Sequence, residues 1–222
     1  MKRDYSQEIS FWKNHIEQKD RFKSRLINLL NKEKRKKEFP RIILKISKQI
    51  KTKPLETLEI GSGPTSGLAW GVDRGLVNVF AIDPLAEEYK KILKKNKINY
   101  PIIPRKIEGE KINKYFKKNS FEITYSRNSL DHVKNPKKVF KNMINLTKSG
   151  GYIILEFRKN EGTHAKWTGL HNHNLDLEDK NISLLTNGKR KKFLKSNKLK
   201  FEESFSEGNK IGDWKMIVFR KK

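Results

Sequence analysis

The chain has 222 residues, no cysteine, 35% hydrophobic residues and a formal charge of +26, enough for one main domain with a short appendage. No stretch approaches the eighteen or so apolar residues of a membrane span, and the N-terminus lacks the apolar segment of a secretory signal, so no membrane insertion and a cytoplasmic location are expected. The missing cysteine excludes a thiolate nucleophile, and with it methylation of a pyrimidine C5 through cysteine.

Residues 1–52 read as helical. Ile9, Phe11, Trp12, His15, Ile16 and Lys19 set an apolar stripe at helical spacing, and Phe22, Leu26, Ile27, Leu29 and Leu30 continue it. Lysines at 32–37 interrupt the pattern, and Pro40 opens a second helix carrying Ile42, Ile43, Ile46 and Ile50. This N-terminal helical cap is expected to precede a main domain over 53–222. Trp12 and His15 fit a core role there better than a substrate contact.

From Leu55 strand and helix alternate. Strands are expected at 55–60, 77–82, 101–104, 121–126 and 152–157, the last introduced by Gly150-Gly151. Helices are expected near 66–73, 84–96, 110–117 and 136–148. That order argues for βαβ units and a parallel sheet. Two further strands, 200–206 and 214–220, are joined by the glycine-bearing link 207–212 and suit an antiparallel hairpin. The expected fold is α/β: a Rossmann-like, doubly wound, mainly parallel seven-stranded sheet with a C-terminal hairpin.

The most informative run is Leu58-Glu59-Ile60-Gly61-Ser62-Gly63-Pro64-Thr65-Ser66-Gly67. A buried strand here ends in a glycine-rich turn, where backbone can approach a ligand closely. Twenty residues past Gly63 the second strand closes on Asp83, an acid able to accept hydrogen bonds from ribose hydroxyls. The spacing G-x-G-x-x-x-G is one residue longer than the dinucleotide fingerprint, and Pro64 removes an N–H that a pyrophosphate would use. There is no P-loop. An adenosine ligand without a diphosphate remains.

On these residues the chain resembles the class I S-adenosylmethionine-dependent methyltransferases, whose first motif is commonly E/D-x-G-x-G-x-G. Glu59, Gly61 and Gly63 match it, and Thr65 stands where the third glycine often lies. The resemblance spans roughly 53–157. It implies S-adenosylmethionine as cofactor, with Glu59, Gly61, Ser62 and Gly63 around its methionyl part. It further places Asp83 on the ribose diol, Pro84 and Leu85 beside the adenine, Glu110 near the adenine amino group and Asn128 on the methionyl side. Asp83 before Pro84 also reads as a helix N-cap, a role compatible with the ribose one, and Glu110 reads equally as a first-turn acid favoured by the helix dipole.

After the fourth strand, Asp131-His132 offers a carboxylate and an imidazole that can take a proton near neutral pH. The segment of about 158–180, expected to be a substrate loop over the cofactor cleft, holds three of the five histidines: His164, His171 and His173. Gly169-Leu170-His171-x-x-Asn174 resembles a loop of some small bacterial methyltransferases that are thought to modify surface sugars or related metabolites. His171 is therefore the first candidate base and His132 the second, with Arg158, His173 and Asn174 as candidate acceptor contacts. A metal on His171 and His173 with Glu161 or Asp176 is a weak pattern without cysteine, and none is expected.

The acceptor expected is a small anionic molecule. An RNA methyltransferase or basic RNA-binding protein is the alternative, since the charge invites it. Lysine outnumbers arginine 40 to 11, however, in runs at 32–37, 90–97, 111–118, 134–141 and 189–200 that read as solvated helix faces. No Asn/Asp-Pro-Pro-Tyr motif for base amino groups is present, so no specific nucleic acid is expected. A catalytically silent cofactor-binding fold is the third possibility.

Overall fold

A computed structural model describes residues 4–17, 23–209 and 212–222. Lys19, Phe22 and the middle of the 207–212 link, expected above to extend a helix and to join two strands, lie outside the described residues. The chain divides into two compact units, Met1–Ile107 and Glu108–Lys222. No helix among the described residues is long and apolar enough to cross a membrane.

The first unit opens with helices α1 (Ser6–Glu17), α2 (Lys23–Leu30) and α3 (Arg41–Gln49), with a 3-10 turn at Arg35–Glu38 before α3. Ile42, Ile43 and Ile46 of α3 are buried, as their spacing requires. Arg35 is buried too, its charge met by Asp73 at 2.8 Å while its Nε donates to the Leu29 carbonyl at 2.7 Å. Strands β1 (Leu55–Ile60) and β2 (Val77–Ile82) pair in parallel, from Leu55 with Val77 to Ile60 with Ile82. Five of the six β1 residues are buried, Thr57 and Glu59 among them, as in a strand covered on both faces. Helix α4 (Ala69–Asp73) lies between them in sequence and α5 (Ala86–Lys95) follows. Glu87 and Glu88 in the first turn of α5 and Lys94 and Lys95 in its last oppose the helix dipole.

The strand expected at 101–104 does not form. Tyr100-Pro101-Ile102-Ile103-Pro104 has two prolines without a ladder donor, and pairing is reduced to one parallel bridge between Ile82 and Arg105.

The second unit begins with a 3-10 helix, Gly109–Lys114, where an α-helix was expected. Strand β3 (Phe121–Arg127) pairs in parallel with β4 (Thr147–Arg158). Between them runs α6 (Pro136–Leu146), capped by Asn135, whose side chain accepts from the Lys138 N–H, with Pro136 in the first turn. Strand β4 starts before Gly150-Gly151 rather than after them. A side chain at Gly151 would stand 2.7 Å from the Glu122 carbonyl oxygen, so the neighbouring strand demands glycine there. The short helix α7 (Glu161–His164) follows β4.

The expected loop over 158–180 instead leads into an antiparallel three-stranded sheet: β5 (His173–Glu178), β6 (Asn181–Thr186) and β7 (Arg190–Leu194). The hairpin expected at the C-terminus is present as β8 (Leu199–Asn209) and β9 (Gly212–Lys221), with β9 antiparallel to β4. Apart from β5–β7, the described residues thus hold two strands in the first unit and four in the second: six rather than seven.

Candidate cofactor and acceptor sites

In the first unit the end of β1 forms the candidate cofactor turn. Gly61 and Gly63 adopt φ of +69° and +62°, a left-handed conformation that side chains with a Cβ resist. The Gly61 N–H donates to the Ile82 carbonyl at 2.9 Å, tying the turn to the end of β2. The Gly63 N–H donates to Asp83 Oδ2 at 3.2 Å and the Leu85 N–H to Asp83 Oδ1 at 2.9 Å. Asp83 thus bonds the glycine turn and the backbone before α5 rather than capping a helix at Pro84, because α5 starts only at Ala86.

Asp83 is only 6% exposed. Burial pushes its carboxyl up to about 7; the Leu85 and Gly63 amides oppose the shift and the charge of Glu8 adds to it. Glu59 is buried at the foot of the same turn. Trp12 of α1 closes it from above: a Cβ built on Gly63 would lie 3.0 Å from the indole ring. The indole N–H donates to Glu8 at 2.8 Å, and the ring meets Tyr89 edge-on with centroids 6.1 Å apart. Trp12 is thus more than a core residue, since it covers the turn that the sequence singles out.

In the second unit the candidate cofactor and acceptor residues fall into two groups. One is used within the fold. Glu110 accepts from the N–H groups of Lys134 and Asn135, at 2.8 and 3.1 Å, and so fixes the backbone after His132. Asn128, at φ +44°, accepts from the Arg158 N–H at 3.2 Å. His173 is buried, with Nδ1 2.9 Å from Thr186 Oγ1 and Nε2 2.9 Å from the Val133 carbonyl. Asn174 accepts from the Thr163 N–H and donates to the Thr163 hydroxyl, holding α7. For His173 and Asn174 the expectation of an acceptor contact gives way to a structural role, because their polar atoms are committed to the fold. Arg158 pairs with Glu161 at 3.2 Å and is part-exposed.

The other group comes together around Asp131. The His171 Nδ1 lies 2.7 Å from Asp131 Oδ2, the His132 Nε2 lies 3.3 Å from the same oxygen, and the two nitrogens are 3.0 Å apart. The backbone matches this side-chain meeting, as the Asn172 N–H donates to the Asp131 carbonyl at 3.2 Å. Asp131 is buried, whereas His132 and His171 keep 18% and 28% of their side chains exposed. Burial alone would raise the Asp131 pKa. The His132 charge and the His171 hydrogen bond and charge outweigh burial and hold the carboxyl below its ordinary range. Sequence reasoning named both histidines and the Asp131 carboxylate, but not that this carboxylate joins His171 to His132. The signal was the Asp-His dipeptide after a strand end, where an acid beside an imidazole is positioned to orient it.

Residues 58–155 match the family model described as a methyltransferase domain. No curated protein matches the chain. Among solved structures, the chain is similar to the N-methyltransferase NodS from Bradyrhizobium japonicum WM9 in complex with S-adenosyl-L-homocysteine. The TM-score is 0.57 at 13% identity, covering 97% of each chain. It is also similar to the PH0226 protein from Pyrococcus horikoshii OT3, with TM-score 0.51, 16% identity and coverage of 91% of this chain and 92% of that one. A third is an S-adenosylmethionine-dependent methyltransferase from Clostridium acetobutylicum ATCC 824, with TM-score 0.51, 14% identity and coverage of 83% and 91%. At these identities the likeness establishes the Rossmann-like fold. The family match lies over β1 to β4 and, together with the fold, supports a class I S-adenosylmethionine-dependent methyltransferase.

Proposed function

We propose that the chain methylates an oxygen, or less readily a nitrogen, of a small anionic acceptor such as a sugar or phosphorylated metabolite of surface-glycan biosynthesis. The observation that carries the acceptor half is the meeting of Asp131, His132 and His171 across forty residues of sequence. A methyl acceptor with a hydroxyl must lose a proton, and this cluster is built to receive one. With a hydrogen on Nδ1 donated to Asp131, the His171 ring is held in the tautomer whose Nε2 is basic. His132 is the second proton acceptor, and Arg158 supplies positive charge for a phosphate or carboxylate on the acceptor.

The cofactor half rests on Glu59, Gly61, Ser62, Gly63, Asp83, Pro84 and Leu85, with Glu110 and Asn128 assigned more distantly through the fixed backbone around them. The donor set fits an adenosyl ligand. Asp83 is a buried acceptor at the end of β2, and in the turn beside it Gly63 holds φ +62° with the space for a Cβ filled by Trp12. When bound, S-adenosylmethionine supplies a methyl group already activated on a sulfonium. The chain's own task is therefore positioning and proton removal. NodS, whose structure holds the demethylated cofactor, is an N-methyltransferase, and for this reason nitrogen acceptors belong in the test.

The test is a methyl-transfer screen with labelled cofactor against sugar nucleotides, phosphorylated sugars, small amines and total RNA. Label on a sugar or phosphorylated metabolite is the expected result. Label on RNA alone would replace this reading with the RNA one.

A further inference from the structure

The distances around Asp131 carry more than a proton relay. Three donor atoms, Asp131 Oδ2, His132 Nε2 and His171 Nδ1, stand 2.7, 3.0 and 3.3 Å from one another. Donors held about 2.0–2.1 Å from one ion at tetrahedral angles stand about 3.3 Å apart, so this triangle is nearly the face of a metal's coordination shell. The alternative is a crowded hydrogen-bond arrangement. If both nitrogens carry hydrogens, two N–H groups 3.0 Å apart converge on one oxygen. If only one does, the other nitrogen's lone pair faces either the carboxylate or its neighbour. A cation in place of those hydrogens satisfies all three atoms.

A second observation points the same way. Asp131 is buried, and its other oxygen, Oδ1, is buried with no hydrogen-bond partner. A carboxylate desolvated on both oxygens, with protein donors on only one, is expensive. A cation beside it supplies the missing charge. The two imidazoles are the part-exposed members of the set, which leaves the solvent side for water or a ligand oxygen.

We propose that Asp131, His132 and His171 form a site for a divalent transition-metal cation of the zinc kind. The chemistry of the donors selects it: two neutral imidazoles and one carboxylate suit zinc, ferrous iron, cobalt or nickel and disfavour magnesium and calcium, which take oxygen ligands. Three protein ligands with an open position are the pattern of a catalytic rather than a structural ion. The set differs from the one the histidine-rich segment suggests by spacing. His173 is committed to Val133 and Thr186, and the carboxylate comes from the loop after β3.

The inference rests on the reading of this cluster as the acceptor end of a methyltransferase, and it deepens that reading. A hydroxyl bound at the open position becomes acidic enough to lose its proton to water near neutral pH. His171 then serves as a ligand, and its role as base belongs to the metal-free protein. The class of acceptor that gains most is one with an oxygen able to reach the ion, such as a sugar hydroxyl flanked by a second oxygen donor.

The experiment uses tag-free full-length protein, stripped with a chelator and dialysed. Zinc binding is measured by calorimetry and elemental analysis, and cobalt(II) is added to record its visible spectrum. Affinity for S-adenosylhomocysteine and methyl transfer are measured on the same samples. One equivalent of zinc per chain is expected in wild type, with at least a tenfold weaker affinity in Asp131→Asn and in His171→Asn and no change in His173→Gln. Cobalt should give visible bands that His171→Asn weakens. Two results overturn the site: binding well below one equivalent, or binding that both Asp131→Asn and His171→Asn leave untouched while circular dichroism shows them folded. Full turnover in the stripped protein removes the cation's part in the reaction and leaves the methyltransferase reading standing. Zinc held by these residues without methyl transfer to any acceptor keeps the site and ends that reading.

Discussion

The turn at Gly61–Gly63 and the cluster at Asp131, His132 and His171 are built on different plans. The turn is made of neighbours in sequence and of one acid at the end of the next strand, and the donors of its bonds are backbone N–H groups: Gly61 to the Ile82 carbonyl, Gly63 and Leu85 to the Asp83 carboxylate. The cluster is made of side chains forty residues apart, joined through a single carboxylate oxygen. A site built from backbone can be read from spacing, because spacing fixes where a strand ends and which N–H groups a turn exposes. A site built from side chains across a long connection cannot, because nothing local sets the distance from Asp131 to His171. The contrast predicts that damage to each region falls on a different measurement.

The largest effect should come from the cluster. His171→Ala should cut turnover roughly 10²–10⁴-fold, and Asp131→Asn should lose a similar amount, since it removes the group that holds the ring. Affinity for S-adenosylhomocysteine should stay close to wild type in both. Calorimetry together with single-turnover kinetics separates the two, and a parallel fall in cofactor affinity would break the division of labour between the regions.

The next effect belongs to the turn. Asp83→Ala removes the buried acceptor and should cost about 1–3 kcal/mol of cofactor binding. Gly63→Val should also weaken binding, because it places a branched side chain at φ +62° and against Trp12. The chemical step at saturating cofactor should change little in either variant. Unchanged cofactor affinity in both would remove the turn from the site.

A smaller, pH-dependent effect sharpens the same point. Because burial raises the folded Asp83 pKa to about 7, the folded chain keeps a proton there that the unfolded chain gives up near the ordinary carboxylate pKa. This contribution to stability is fully present below that ordinary value and is lost as pH rises through about 7. Ribose hydroxyls prefer the ionised form. Binding of S-adenosylhomocysteine should therefore release a proton below pH 7, and affinity should fall by up to about tenfold per pH unit there. Calorimetry in buffers of different ionisation enthalpy measures the proton directly. Asp83→Asn should abolish the release and flatten the stability profile.

How far the sequence carried the fold follows the same physics. β1, β2, β3, α6 and the terminal hairpin were legible because each rests on a local pattern: a strand running into a glycine turn, an apolar run, a helical stretch between two strands or a short link. The 101–104 strand was misread because its apolar residues outweighed two prolines that remove the donors a ladder needs. The sheet β5–β7 was missed although its signals are present. Leu175 and Leu177 alternate with polar residues, Asp179 and Lys180 take φ of +47° and +61°, and Asn187-Gly188 opens the next turn. Three histidines drew the segment toward a loop reading. The pairing of His171 with Asp131 depends on that sheet, since β5 begins two residues after His171.

The smallest effect on activity should come from His173, and it tests whether two histidines in one segment divide between chemistry and structure. His173 opens β5 and is buried, with both ring nitrogens within 2.9 Å of partners in the fold. His173→Ala strands the Val133 carbonyl and the Thr186 hydroxyl in a dry environment. It should lower stability by about 1–3 kcal/mol, visible in the denaturant midpoint. At a temperature where the variant is folded, kcat should remain near wild type, in contrast to His171→Ala. His173→Gln, which keeps a donor and an acceptor, should recover part of the stability. A loss of turnover from His173→Ala as large as that from His171→Ala, in protein shown to be folded, would mean that the imidazole two residues on shares in the chemistry. The boundary between the cluster and its supporting sheet would then have to be redrawn to include Val133 and Thr186.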